Sequence, residues 1–319
     1  MTTVNHRFVD SASGLRMHIA EAGEGPLVLL LHGFPESWYS WRHQLTALAE
    51  AGYHAVAPDQ RGYGRTGGPD AVDRYTIHHL AGDALGLIPV LGARQAVVVG
   101  HDWGAPIAWH TALVRPDAVR AVAGLSVPPL PRGGRPPTEA LRELAGDAHY
   151  MLHFQAIGPA EAELERDLGT TFRRLLAGRA ALAPGGQPLV PDGGGFLDVF
   201  ADPPRLPGWL TEDDLAFFTD EFAKDGFHRP LHWYRNLDRN WELTAAWHGA
   251  RITPPALLIA GEQDMVVANP RTRKAIPALT SYVPALREPV WLPGCGHWTQ
   301  QERPQEVNAA LIDFLRSLD

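Results

Sequence analysis

The chain has 319 residues, 45% of them hydrophobic and 20% charged, which excludes a disordered or fibrous protein and suits one core with a smaller attached part. Lys plus Arg number 28 against 36 Asp plus Glu, a net charge of −8 that disfavours a nucleic-acid partner. The single cysteine, Cys295, rules out an internal disulfide and a cysteine-rich metal site.

The first third alternates apolar runs with amphipathic stretches. Leu27–Leu31 reads as a buried strand, and Trp38–Ala51 as a helix with Trp41, Leu45 and Leu48 on one face, ended by Gly52. A strand follows at His54–Ala57, a helix at Thr76–Leu91, a strand at Ala96–Gly100, a helix at Gly104–Val114 and a strand at Val119–Leu125. Strands separated by helices of this length are βαβ units on a mostly parallel sheet.

The middle changes character. Pro129, Pro131, Pro136 and Pro137 form an entry, and helical patterns follow at Glu139–Ala145, Ala148–Ala156, Glu161–Leu176 and Glu212–Ala223. The Gly- and Pro-rich stretch Ala183–Pro207 reads as a loop, and no strand pattern is convincing. Beyond it the core resumes with strands at Pro255–Gly261 and Val290–Leu292 and a helix at Val307–Leu318. The expected architecture is α/β: residues 1–128 and 250–319 form the core, and residues 129–249 a helical cap inserted between its strands. No signal peptide opens the chain, and no apolar run is long enough to span a membrane. The cytoplasm is the default location.

The polar residues with chemical potential fall at strand ends. In Val97-Val98-Val99-Gly100-His101-Asp102-Trp103-Gly104, two glycines leave room for a tight strand-to-helix turn that projects Asp102. Where such turns usually carry serine, this one carries a carboxylate, which can attack carbon and form an ester. A bare helix cap is the alternative for Asp102 alone. The N–H groups of Phe34, in Leu31-His32-Gly33-Phe34-Pro35, and of Trp103 can face a developing oxyanion. Asp264 follows the strand at 255–261, and His297 sits in Gly294-Cys295-Gly296-His297-Trp298. The chain order Asp102, Asp264, His297 is that of nucleophile, acid and histidine in hydrolases of this architecture.

These motifs make the chain resemble the α/β-hydrolase fold, and within it the soluble epoxide hydrolases. The likeness covers nearly the whole chain. It includes His32-Gly33-Phe34-Pro35, Gly100-His101-Asp102-Trp103-Gly104, Gly296-His297-Trp298-Thr299-Gln300 and two cap segments, Tyr150–Gln155 (continued by Ala160–Glu165) and Leu231–Asn236. The resemblance implies that Asp102, Asp264 and His297 are the triad and that Tyr150 and Tyr234 hold the epoxide oxygen. It also implies a pocket lined by Phe34, Pro35, Trp103, Met151, Phe154, Trp233 and Trp298. Met151 stands where the family often has Gln, and His232 where it often has Asn, departures that touch pocket shape more than chemistry. The length leaves no room for the phosphatase domain of the bifunctional mammalian members.

The resemblance implies a small hydrophobic epoxide and water as partners, no cofactor or metal, no membrane or nucleic acid, and a monomer or homodimer. The composition, rich in Ala, Gly, Arg and Pro, suggests a GC-rich bacterium. A haloalkane or fluoroacetate dehalogenase shares the aspartate and histidine but needs no paired cap tyrosines. A non-catalytic receptor on this fold commonly loses triad members, and all are present here. Gly62-Tyr63-Gly64-Arg65-Thr66-Gly67 matches GxGxxG but opens no helix, so it reads as a structural loop rather than a nucleotide site. The pairs His149/His153 and His228/His232 lack the glutamate and third ligand of a zinc site.

Overall fold

The computed structural model describes residues 2–183 and 186–318. Residues 184 and 185, within the predicted loop 183–207, lie outside the described residues. The chain gathers into two compact units. One comprises Met1–Arg61, Ile77–Pro131 and Trp247–Asp319, the other Gly62–Thr76 and Arg132–Ala246.

Ten strands occur in chain order among the described residues: β1 Asn5–Asp10, β2 Arg16–Ala22, β3 Leu27–Leu31, β4 His54–Pro58, β5 Ala96–His101, β6 Val119–Leu125, β7 Leu182–Ala183, β8 Gln187–Pro188, β9 Ala256–Gly261 and β10 Val290–Leu292. Eight of them form the sheet of the first unit, in the order β1-β2-β4-β3-β5-β6-β9-β10. The pairs from β4 through β10 are parallel, while β1 and β2 add on antiparallel. β3, β5 and β9 are buried at every position, as expected for central strands covered on both faces. Their register, Leu29 beside Val98 and Val98 beside Val122, stacks branched side chains across the sheet.

Helices Arg42–Glu50, Ile77–Val90, Gly104–Val114 and Pro304–Arg316 belong to the same unit. From β3 the chain steps to β4 on one side and then crosses back to β5 on the other. The sheet therefore has a topological switch point between β3 and β5, the place where sheets of this kind carry their ligand sites, at the carboxyl ends of the strands.

The predicted helix over 38–51 opens as a 3₁₀ turn, Trp38–Trp41, with Ser37 accepting the N–H of Tyr39. Strands β1 and β2 were not expected, because β1 is nearly all exposed and β2 carries His18 and Glu21. Pairing rather than patterning makes them strands, and buried His18 is matched by Asp59, 2.7 Å from its Nδ1.

The second unit is helical: Pro137–Ala145, Tyr150–His153, Pro159–Leu164, Leu168–Ala177, Glu212–Asp225, His228–Arg235 and Leu237–Leu243. The stretch expected as one helix over 161–176 is two, because Asp167 accepts the N–H of Thr170 and caps a new start. Helices 228–235 and 237–243 were not expected, being short, with Pro230 in the first turn of one. β7 and β8 form a two-residue pair where only loop was expected. Phe172, Phe218, Phe222 and Phe227 make the aromatic core, with neighbouring rings 4.7–6.1 Å apart. Residues 62–67 close on themselves through the Gly62 N–H to the Gly67 carbonyl (2.6 Å), and Tyr63 packs edge-on against Trp233.

Candidate active site

β5 runs directly into the turn that presents Asp102. The residue has φ 51°, a left-handed conformation unusual for anything but glycine, so the turn is strained. The flanking glycines make it possible. A Cβ on Gly100 would lie 2.0 Å from the Gly104 carbonyl oxygen, and one on Gly104 would lie 2.0 Å from that of Leu31. Helix and strands therefore approach more closely than any side chain allows. Gly33 admits the carboxylate itself: a Cβ there would stand 2.4 Å from Asp102 Oδ1. Phe34 donates its N–H to that same oxygen at 2.8 Å.

Asp264 and His297 follow β9 and β10. His297 Nδ1 lies 3.0 Å from Asp264 Oδ1, and its Nε2 lies 3.5 Å from Asp102 Oδ2. Asp264 Oδ1 also accepts the N–H of Val266, which fixes that carboxylate at the start of helix Met265–Ala268. The Asp264 side chain is sealed, whereas those of Asp102 and His297 keep 17% and 15% exposure.

The charges support one another. Burial pushes the Asp102 carboxyl up, but His297, His101 and the Phe34 N–H more than offset this and hold it below its ordinary value. Burial pushes His297 down, yet the carboxylates of Asp264 and Asp102 hold it well above its ordinary value. The two carboxylates thus favour the protonated form of His297.

Sequence reasoning missed what steadies this group. The His297 carbonyl accepts from Ser126 Oγ and faces His101 Nε2, each at 2.8 Å. His101 Nδ1 lies 2.8 Å from Glu36 Oε2, and Glu36 also accepts from Gly33 N–H, Gln300 and Gln301. Ser126 carried no motif, although its φ of 69° marks a special position. Glu36 and Gln301 were adjacent to recognised motifs and Gln300 closed one of them, and only their burial shows their use. His32 is internal, with Nδ1 toward the Gly33 carbonyl and Nε2 accepting the Gln60 N–H; burial lowers its pKa.

Other predicted residues of this unit lie nearby. Trp103 is half-exposed and immediately precedes helix 104–114. Phe34 and Pro35 are buried and joined by a cis peptide. Trp298 packs against the rings of His297 and His101.

In the second unit, Tyr150 opens helix 150–153 and Tyr234 lies near the end of helix 228–235. Their ring centroids are 6.1 Å apart at 71°. Phe154 is fully buried and packs edge-on against both. Phe196 and His149 each stack on Tyr150, at 5.1 and 5.0 Å. Phe196 was missed because it sits in a Gly- and Pro-rich stretch without periodicity. The Glu163 carboxylate fixes it by accepting the N–H groups of Phe196 and Leu197. Met151 is half-buried, and Trp233 is fully buried on Tyr63. Asp102, Asp264, His297 and Phe34 thus come together in one unit, and Tyr150, Tyr234, Phe154 and Phe196 in the other.

A mostly parallel sheet that puts an acid, a histidine and a strained strand-to-helix turn bearing a carboxylate on its strand ends, with helices inserted between β6 and β9, is the architecture of the α/β hydrolases. Residues 26–304 match the family model described as the alpha/beta hydrolase fold. The chain is 47% identical to Epoxide hydrolase A of Mycobacterium tuberculosis, over 100% of this chain and 99% of that one. It is 37% identical to Bifunctional epoxide hydrolase 2 of Sus scrofa, over 99% of this chain and 56% of that protein. The crystal structure of Epoxide Hydrolase A from Mycobacterium thermoresistibile superposes with a TM-score of 0.92 at 49% identity, covering 99% of both chains. The chain belongs to the epoxide hydrolases of the α/β-hydrolase fold. Among the described residues no helix is long and apolar enough to cross a membrane.

Proposed function

We propose that this enzyme opens a small, apolar epoxide to a vicinal diol through an ester on Asp102. The observation that carries the reading is a carboxylate at the nucleophile turn, one oxygen already held by the Phe34 N–H and the other 3.5 Å from His297 Nε2. A carboxylate is ionised at neutral pH and needs no base for the first attack.

In the first step Asp102 Oδ2 attacks an epoxide carbon. The ring C–O bond breaks, and its electron pair goes to the epoxide oxygen. Tyr150 and Tyr234 donate to that oxygen as charge develops, and one supplies the proton; assistance of this kind is worth about 10²- to 10⁴-fold. In the second step His297, oriented by Asp264, takes a proton from water. The hydroxide attacks the Asp102 carbonyl carbon. The negative charge falls on Oδ1, where the N–H groups of Phe34 and Trp103 receive it. Collapse breaks the ester bond to Oδ2, releases the diol and restores the carboxylate, and the proton that His297 took from water balances the one returned to the tyrosinate.

The electrostatics favour this order. Esterification removes the Asp102 charge, one of the two that raise the His297 pKa. His297 then releases its proton more easily and becomes a base at the step that requires one.

Single turnover in heavy-oxygen water tests the route. The first diol should carry only light oxygen, drawn from Asp102, and the heavy atom should appear in the peptide containing Asp102. Heavy oxygen in the first diol, with an unlabelled peptide, would mean direct attack by water and no ester.

A further inference from the structure

We propose that Arg235 and Gln155 are positioning residues that fix the spacing of Tyr150 and Tyr234, so that both hydroxyls converge on one oxygen. The inference rests on the role given to those tyrosines above.

The two tyrosines sit on weak supports. Helix 150–153 is a single turn, too short to be stable by itself. The last carbonyls of any helix also lack partners within it. Arg235, adjacent to Tyr234 and with a side chain only 3% exposed, braces the chain just beyond that single turn. Its Nε donates to the Phe154 carbonyl and its Nη2 to that of Ala156, at 3.2 and 2.9 Å. Nη2 also donates to Glu161 Oε1 at 2.7 Å. Nη1 donates to His232 Nδ1 at 3.0 Å and to the His228 carbonyl at 3.4 Å. One planar group therefore grips the segment after Tyr150 and the helix that carries Tyr234.

The opposite strap is Gln155. Its Nε2 donates to the carbonyls of Met151 (2.7 Å) and Tyr234 (3.0 Å). Each tyrosine's neighbourhood is thus hydrogen-bonded to the other's, and the Phe154 ring fills the space against both. The bracket is closed at its outer end. Glu161 Oε2 accepts the Gly158 N–H, and His232 Nε2 donates to the Asp70 carbonyl. With one ring nitrogen accepting and the other donating, His232 is neutral; burial lowers its pKa to about 4, in agreement.

Two hydroxyls share a developing alkoxide only while their separation is held to a fraction of an ångström. Lysine at 235 would keep the charge for Glu161 but lose the planar fork that reaches several acceptors. Arg235→Lys and Gln155→Met are therefore the informative changes, with alkylation and ester hydrolysis timed separately by rapid quench and intact-mass measurement. Each should slow alkylation about tenfold and leave ester hydrolysis near the parent rate. In a Tyr234→Phe background the same changes should cost little more, because the geometry they protect has lost its purpose. Gln155→Met keeps the test open should Arg235→Lys fail to fold. Unchanged alkylation, equal slowing of both steps, or the full tenfold loss on top of Tyr234→Phe would overturn the positioning role. If Tyr150→Phe and Tyr234→Phe themselves leave alkylation untouched, the tyrosine assignment falls first and takes this inference with it.

Discussion

The turn at Asp102 and the tyrosine frame are built by opposite means. At Asp102 the geometry is forced by neighbours in sequence: a strand, two glycines that admit no Cβ, and a helix that begins at once. Around Tyr150 and Tyr234 almost nothing is forced locally. A one-turn helix, an eight-residue helix and a loop phenylalanine are held by Arg235, Gln155 and Glu163 across 33 to 81 residues of chain. A turn of the first kind tolerates no added carbon. A frame of the second kind loses accuracy before it loses structure.

The largest effect expected is at the histidine. His297→Gln should stop ester hydrolysis, with turnover falling about 10⁴-fold, while alkylation survives. Intact-mass measurement after brief exposure to an epoxide should then show the protein heavier by one substrate. An unchanged mass with continued epoxide consumption would contradict it. In the parent enzyme, ester hydrolysis should rise with pH as His297 loses its proton. That limb should lie at lower pH than the titration of His297 in the free enzyme, since the ester has removed the Asp102 charge. Single-turnover rates across the neutral range, set beside the histidine's resonance in free enzyme, give both.

A smaller loss is expected at the other region. Tyr234→Phe and Tyr150→Phe should each slow alkylation about 10²-fold, with the ester, once formed, hydrolysed at the parent rate. Equal slowing of both steps would break the division of labour between the regions.

The smallest effect is on stability. Gly100→Ala must displace the Gly104 carbonyl, which stands 2.0 Å from the new carbon, and overpacking of this kind costs about 1–3 kcal/mol. A clear drop in melting temperature should result, whereas Gly134→Ala, with nothing near its Cβ, should leave it unchanged. Equal melting temperatures for the two variants would show that the turn is looser than its contacts imply.

The sequence by itself determined the features that depend on short-range pattern. The β3, β5, β6 and β9 strands announce themselves as buried apolar runs, and the turn at Asp102 as glycines at fixed spacing. The order of Asp102, Asp264 and His297 is likewise a property of the chain. Only the tertiary structure decided that Glu36 serves His101, that Ser126 holds the His297 carbonyl, and that Phe196 stacks on Tyr150. It also decided that β1 and β2 are strands and that a predicted 16-residue helix breaks at Asp167. The physical reason is that each of these, the break at Asp167 apart, depends on a partner distant in the chain. A buried polar group, an aromatic ring or an edge strand is paired with what the fold brings near, which no local pattern of side chains records.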